Sequence, residues 1–111
     1  MHSGEIVLVD LVQSDGKTKR RPALLLRQMP PFNDWLLCGV STQLHQEVAG
    51  FDIPLSSGQA YFKETGLLKD SIIRLGFLAV LPSRQIIGKI GTVPSEVISL
   101  ALERLSLHLK P

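Results

Sequence analysis

Short apolar runs, each cut off by glycine, proline or a polar cluster, recur from Glu5 to Gly91 and constrain the fold more than any other feature of the chain. Glu5-Ile6-Val7-Leu8-Val9-Asp10 is apolar and β-branched, between Gly4 and the loop residues Gln13-Ser14-Asp15-Gly16, which predicts a buried first strand. Residues 23–27 predict a second strand, and the Pro30-Pro31 pair ends it. A third covers residues 35–41. In Phe51-Asp52-Ile53-Pro54-Leu55 apolar and polar residues alternate, and Pro54 suits an edge strand; Ser56-Ser57-Gly58-Gln59 follows as a loop tip. Residues 71–75 and 77–81 are parted only by Gly76, so they form either one bent strand or two. Lys89-Ile90-Gly91 predicts a short last strand.

The period then changes. Ile98, Ala101, Leu102, Leu105 and Leu109 recur three or four residues apart, which describes one face of a helix and reads as ordinary core packing. Pro94 and Glu96 belong near its start, where a missing N–H and a negative charge both fit. Many short strands closed by one helix predict an α+β, mainly β, small barrel or curled sheet. At 111 residues the chain is expected to be a single domain, residues 1–111, without repeats or linkers. Hydrophobic residues at 44% and charged residues at 20% suit a compact fold. Cys38 is the one cysteine, so an internal disulfide is excluded, and its apolar surroundings predict a small buried hydrophobe. No apolar stretch approaches the roughly 20 residues of a membrane helix. Met1-His2-Ser3-Gly4-Glu5 is no secretory leader, so a cytoplasmic location is expected.

The net charge is only +2, yet the cations are concentrated. Between Gly16 and Asn33 there is no acidic residue, while Lys17, Lys19, Arg20, Arg21 and Arg27 are all positive. A solvated basic loop explains such a run in most proteins. Here Pro22 fixes the backbone next to Arg21 and anchors it to a strand, which favours a docking surface for phosphate. Nucleotide cradles of the G-x-G-x-x-G and G-x-x-x-x-G-K-[ST] types are absent, and so is a G-x-S-x-G nucleophile elbow. His2, His45 and His108 lack ligand spacing, so no metal or other cofactor is expected.

What remains is Arg21 at the head of the second strand and Ser41-Thr42-Gln43 at the end of the third. Sequential strands are usually neighbours, so these groups should approach one another at the sheet rim. A guanidinium can hold two phosphate oxygens and stabilise transition-state charge, while hydroxyl and amide groups orient the phosphate. RNA supplies its own 2′-hydroxyl as nucleophile. A polar loop would account for the same three residues without any chemistry. His45, just beyond them, is a candidate base because imidazole titrates in the useful range.

Gly4-Glu5-Ile6-Val7-Leu8-Val9-Asp10 resembles the opening "GDIVWVD" strand of the MazF/PemK toxins, and Arg20-Arg21-Pro22-Ala23-Leu24-Leu25-Leu26 resembles their "RPALVL" signature. Gly39-Val40-Ser41-Thr42-Gln43 is similar to their "ITTQ" or "ISSQ" segment, and Phe51-Asp52-Ile53-Pro54-Leu55 to their "F-x-V-x-L" edge strand. Gly66-Leu67-Leu68-Lys69-Asp70-Ser71-Ile72-Ile73-Arg74-Leu75 resembles the "GLLKPSVVRL" of a PemK-like branch, and Gly88-Lys89-Ile90-Gly91 before the helix also fits. The similarity runs through nearly the whole chain in order.

That resemblance implies an SH3-like (CcdB/PemK-like) β-barrel, usually a homodimer. It implies a metal-independent endoribonuclease cutting single-stranded RNA at short preferred sequences, the toxin half of a type II toxin–antitoxin pair whose antitoxin covers the RNA groove. Arg21 matches the catalytic arginine and Ser41 the position of a catalytic threonine. Lys17, Lys19 and Arg20 would contact the RNA backbone, with Thr42 and Gln43 as supporting polar groups. The chain departs from the pattern in its short, basic loop at residues 14–20, where relatives have a longer loop with a glutamate. Ser41 lacks the methyl that would limit a threonine's rotamers. Leu8 stands in place of the first-strand tryptophan, and Trp35 instead opens the third strand, expected in the core or at a dimer contact, with base stacking a lesser prospect. Two other readings remain open. One is a toxin of the same fold that binds DNA gyrase through exposed helix positions such as Glu103, Arg104 and His108. The other is a homologue that binds RNA or antitoxin without cutting.

Overall fold

The computed structural model describes all 111 residues. Six strands, β1 (Glu5–Val12), β2 (Thr18–Met29), β3 (Asp34–Ser41), β4 (Ile53–Leu55), β5 (Ser71–Leu81) and β6 (Ile86–Thr92), precede one helix, α1 (Ser95–Leu109). They form a single antiparallel sheet in the order β4-β5-β3-β2-β1-β6. The predicted edge strand is indeed at an edge, with Pro54 exposed between buried Ile53 and Leu55. No helix is long and apolar enough to cross a membrane.

Both faces of the sheet are covered, which is why Ala23, Leu24, Leu25 and Leu26 are all fully buried rather than alternating. Alternation along each strand sorts the side chains onto the two faces. Ile6, Leu24, Leu26, Cys38, Val40, Ile73 and Leu75 pack with Val97, Ala101 and Leu105 of α1. On the other face Val7, Val9, Leu11, Ala23, Leu25, Trp35 and Leu37 form a second core. Phe77, Ala79 and Leu81 of β5 and Ile86 of β6 reach that same core from near opposite edges, so the sheet curls over it as a half-barrel. Trp35, 4% exposed, is core.

Several boundaries differ from the sequence reading. The basic loop expected at residues 14–20 is shorter in the structure, where only residues 13–17 turn. The Lys17 N–H donates to Asp15 Oδ1 at 2.9 Å, Gly16 adopts φ +82°, and Gln13 N–H donates to the Lys17 carbonyl at 2.8 Å. With the turn closed this tightly, Thr18 to Arg21 pair with β1, placing Lys19 opposite Leu11, Arg20 opposite Asp10 and Arg21 opposite Val9. Nor are all these cations free of carboxylates, since Arg20 Nε lies 3.3 Å from Asp10 Oδ1 across the ladder. In α1 the expected apolar stripe holds through Leu105, but Leu109 is 70% exposed. The last turn instead meets a loop, the His108 ring lying tilted against Phe51 at a centroid distance of 4.9 Å.

Residues 71–81 form one strand with a bulge. Gly39 pairs with Arg74, whereas the preceding Cys38 pairs with Leu78, so a single step along β3 spans four along β5. Within the bulge the Leu75 N–H donates to Asp52 Oδ1 at 3.1 Å, and the other carboxylate oxygen accepts from the Val48 N–H at 2.9 Å. Asp52 is thus a buried carboxylate with a backbone N–H on each oxygen, rather than the solvent side of an edge strand. Arg104 Nη1 donates to the carbonyls of Phe51 and Asp52 at 3.0 and 2.8 Å, tying α1 to the same segment.

Cys38 is completely buried, as its sequence context suggested. Burial, reinforced by the nearby Asp52 charge, pushes its thiol up to about 12. The folded chain should therefore resist iodoacetamide at pH 8 and react once unfolded in guanidinium. Rapid labelling without denaturant, read by mass spectrometry, would contradict this burial.

Candidate functional site

Arg21 sits where β2 leaves β3. The β2–β3 ladder ends at the pair Ala23–Gly39. Two residues further on, the same register sets Arg21 against Ser41, the last residue of β3, but the strands are no longer bonded there. A cleft of about 420 Å³ opens at this divergence. Arg21, Ser41, Gln43, Gln46, Arg74 and Phe77 line it, with Leu11, Gln13 and Ser14 from the β1–β2 hairpin. The lining contains two arginines and no carboxylate.

Parity explains why these side chains converge. Arg21 alternates with Ala23 and Leu25 of the second core, and Ser41 with Gly39 and Leu37, so both belong to the same face. The β5 bulge restores this face after Arg74, bringing Phe77 back to it three residues later. Gly39 makes room for that ring: a Cβ there would stand 3.3 Å from Phe77 Cδ1. The Arg74 guanidinium carbon lies 5.9 Å from the Phe77 centroid.

Ser41 is locally held. Its Oγ accepts the Gln43 N–H at 3.0 Å, leaving the hydroxyl hydrogen free to donate into the cleft. This bond restrains the rotamer that a threonine methyl would otherwise limit. The two ion pairs of the chain are Arg20–Asp10 and Lys89–Glu5, so both cleft arginines keep their guanidinium groups unpaired.

Of the residues singled out from sequence, Arg21, Ser41 and Gln43 line the cleft. Thr42 and His45 are exposed outside it, His45 in the one-turn 3₁₀ helix Leu44–Gln46 that presents Gln46 to the cleft instead. Lys17 is at the hairpin tip, and Lys19 shares the face of Arg21 by alternation without lining the cleft. Arg20 points to the opposite face, against Asp10. Gly39, Gln46, Arg74 and Phe77 escaped the sequence reading. Their one signal was a lone cation inside an apolar run closely followed by Gly76, the mark of a strand that bends. No three of His, Cys, Asp and Glu converge in the structure.

The chain is thus a small, mainly β protein, a curled antiparallel half-barrel carrying one C-terminal helix, with an acid-free cationic cleft where two strands part. The model of the PemK-like, MazF-like toxins of type II toxin–antitoxin systems matches residues 2–109, and the chain belongs to that family. Among solved structures it is similar to the Mycobacterium tuberculosis toxin MazF-mt6, with a TM-score of 0.66 at 18% identity over 93% of each chain, a likeness of fold. No curated protein matches it in sequence.

Proposed function

We propose that the chain is a metal-independent, sequence-specific endoribonuclease, the toxin of a type II toxin–antitoxin pair, which cleaves single-stranded RNA at the Arg21–Ser41 cleft. The observation that carries this reading is the meeting of an unpaired guanidinium and a strand-end hydroxyl in a cleft without a carboxylate. A phosphodiester entering it meets two arginines, hydroxyl and amide groups and no negative charge, in a site partly shielded from water.

In the proposed reaction the 2′-oxygen attacks the adjacent phosphorus and loses its proton, while the bond to the 5′-oxygen breaks and that oxygen takes a proton. Arg21 holds two non-bridging oxygens and offsets the charge that builds on them. Ser41 donates its hydroxyl hydrogen to the same phosphate, and Gln43 fixes Ser41 through its N–H. Lys19, exposed on the same face, supplies backbone attraction. An antitoxin covering the cleft would silence it. Exposed Leu78 and Val80 of β5, with Leu36 paired to Val80, support a homodimer. For the gyrase-binding reading, Arg104 is tied to the Phe51 and Asp52 carbonyls and His108 lies tilted against Phe51, while Glu103 is exposed.

Purified protein is expected to cut mixed single-stranded RNA in EDTA, leaving 2′,3′-cyclic phosphate and 5′-hydroxyl ends. RNA that stays intact at high protein concentration would end the proposal.

A further inference from the structure

We propose that Asp52 is the positioning residue of the cleft. Its one carboxylate holds the loop that follows Ser41 to the β5 bulge, and so fixes the walls against which the scissile phosphate is placed. The inference rests on the nuclease reading and adds what keeps that site in shape. Ser41, Gln43 and Gln46 of the cleft lie at the start of the segment from Ser41 to Asp52, and Arg74 and Phe77 flank the centre of the bulge. No side chain from Thr42 to Gly50 is buried, so core packing does not hold this loop. It is held at its ends, by β3 at Ser41 and by a turn that closes at Asp52.

That turn is bonded in both directions. The Asp52 N–H donates to the Val48 carbonyl at 2.9 Å, and the Val48 N–H donates to Asp52 Oδ2 at 2.9 Å. The other oxygen, Oδ1, takes the Leu75 N–H at 3.1 Å, where β3 offers no partner because its ladder jumps from Arg74 to Leu78. Arg104 holds the same backbone from the helix side, through the carbonyls of Phe51 and Asp52. Val48 lies just beyond Gln46, and Leu75 directly follows Arg74, so a fault at Asp52 reaches both walls of the cleft. Asp52 is 4% exposed and makes no ion pair, so its charge is buried at a cost that the two N–H groups offset. An asparagine would fill the same space with less to desolvate. It has one acceptor oxygen, however, and would turn an NH2 group towards the second N–H. Among side chains this short only a carboxylate presents two acceptor oxygens, and here they join residues 23 apart in the chain.

The test compares wild type with Asp52→Asn, Asp52→Glu and, as a control for lost stability, Val97→Ala on the buried side of α1, outside the cleft. Cleavage of mixed single-stranded RNA in EDTA, well below every melting temperature, gives kcat and KM. Amide exchange by NMR follows the Gln43, Val48 and Leu75 N–H groups. For Asp52→Asn the expected result is a kcat lowered about 30-fold with KM within about threefold, since a misplaced phosphate reacts slowly but still meets the same charge. Exchange at Gln43 should quicken together with whichever of Val48 and Leu75 loses its acceptor. Asp52→Glu keeps two acceptor oxygens on a longer stem and should recover part of kcat, although it fits the buried site less well. Val97→Ala should melt lower and keep the wild-type kcat. Should Asp52→Asn not fold, Arg104→Met, which frees the same turn from α1, takes its place with the same criteria. If Asp52 only filled space, Asn would outperform Glu and the melting temperature alone would fall. That ranking, or a wild-type kcat in Asp52→Asn, overturns the proposal and leaves the nuclease reading intact. A lowered kcat with unchanged exchange at Gln43 overturns it as well. Wild type that cuts nothing ends the nuclease reading, and the positioning role with it.

Discussion

Arg21→Ala is expected to lower kcat for RNA cleavage by at least about 100-fold, some 2.7 kcal/mol of transition-state stabilisation. The size follows from where the charge is needed. In the proposed reaction negative charge grows on the phosphate oxygens as the 2′-oxygen attacks, and Arg21 is the cleft cation whose register sets it against Ser41. KM should move less, because the positive charge of Arg74 still lines the cleft. Arg21→Lys should recover only part of the rate, since an ammonium cannot contact two oxygens in the same plane. Arg21 is exposed and makes no ion pair, so its loss should change stability by less than about 0.5 kcal/mol. Single-turnover cleavage in EDTA, with circular dichroism to confirm the fold, reads both quantities. A rate within a few-fold of wild type would mean that the phosphate charge is offset elsewhere.

The second large effect is on stability. Gly91→Ala should destabilise the chain by about 3 kcal/mol, the upper end for a buried overlap, and lower its melting point by ~10 °C or more. A Cβ at Gly91 would overlap the carbonyl of Thr65 and that of Glu64. These are backbone atoms at the end of the 3₁₀ turn Phe62–Thr65, and they cannot rotate away as a side chain would. The contact is reciprocal: a Cβ at Gly66, itself at φ +72°, would overlap the Ile90 carbonyl. Buried Thr65 stiffens the turn, its hydroxyl donating to the Phe62 carbonyl at 2.6 Å and accepting the Leu67 N–H at 3.2 Å. Two glycines therefore let this turn lie directly on β6, just before the chain enters β5 with its cleft residues. Gly88→Ala, in the same strand but with nothing within 4 Å of its Cβ, is the control and should melt within about 1 kcal/mol of wild type. Equal melting points for the two variants would show that the turn can lift off β6 at little cost.

How much of this was legible in the chain depended on the range of the signal. Strand positions came from apolar runs between breakers, and the Pro30-Pro31 pair does end β2, at Met29. The helix came from its period, with Val97, Ala101 and Leu105 on its buried side. Errors gathered where a local pattern met a distant partner. Polar residues 18–20 look like loop because nothing apolar marks them, yet β1 offers them a ladder. Asp52 looks solvent-facing because it alternates with apolar neighbours, yet the β5 bulge brings it an N–H from 23 residues away.

Arg21-Pro22 and Ser41 could be picked out along the chain because each flanks an apolar run, and neighbouring strands in sequence usually pair. Which residues would join them could not. Side-chain alternation is a local rule, and it fails at a bulge whose existence is a matter of register between β3 and β5, thirty or more residues apart in the chain. That register alone turns Phe77 to the face of Arg74. The same packing sets Gln46 in the cleft and His45 outside it, and it sends Arg20 to Asp10 while its neighbour Arg21 stays unpaired. Chain order decided which strands exist and where the first cation stands; only the folded sheet decided which polar groups share a face with it.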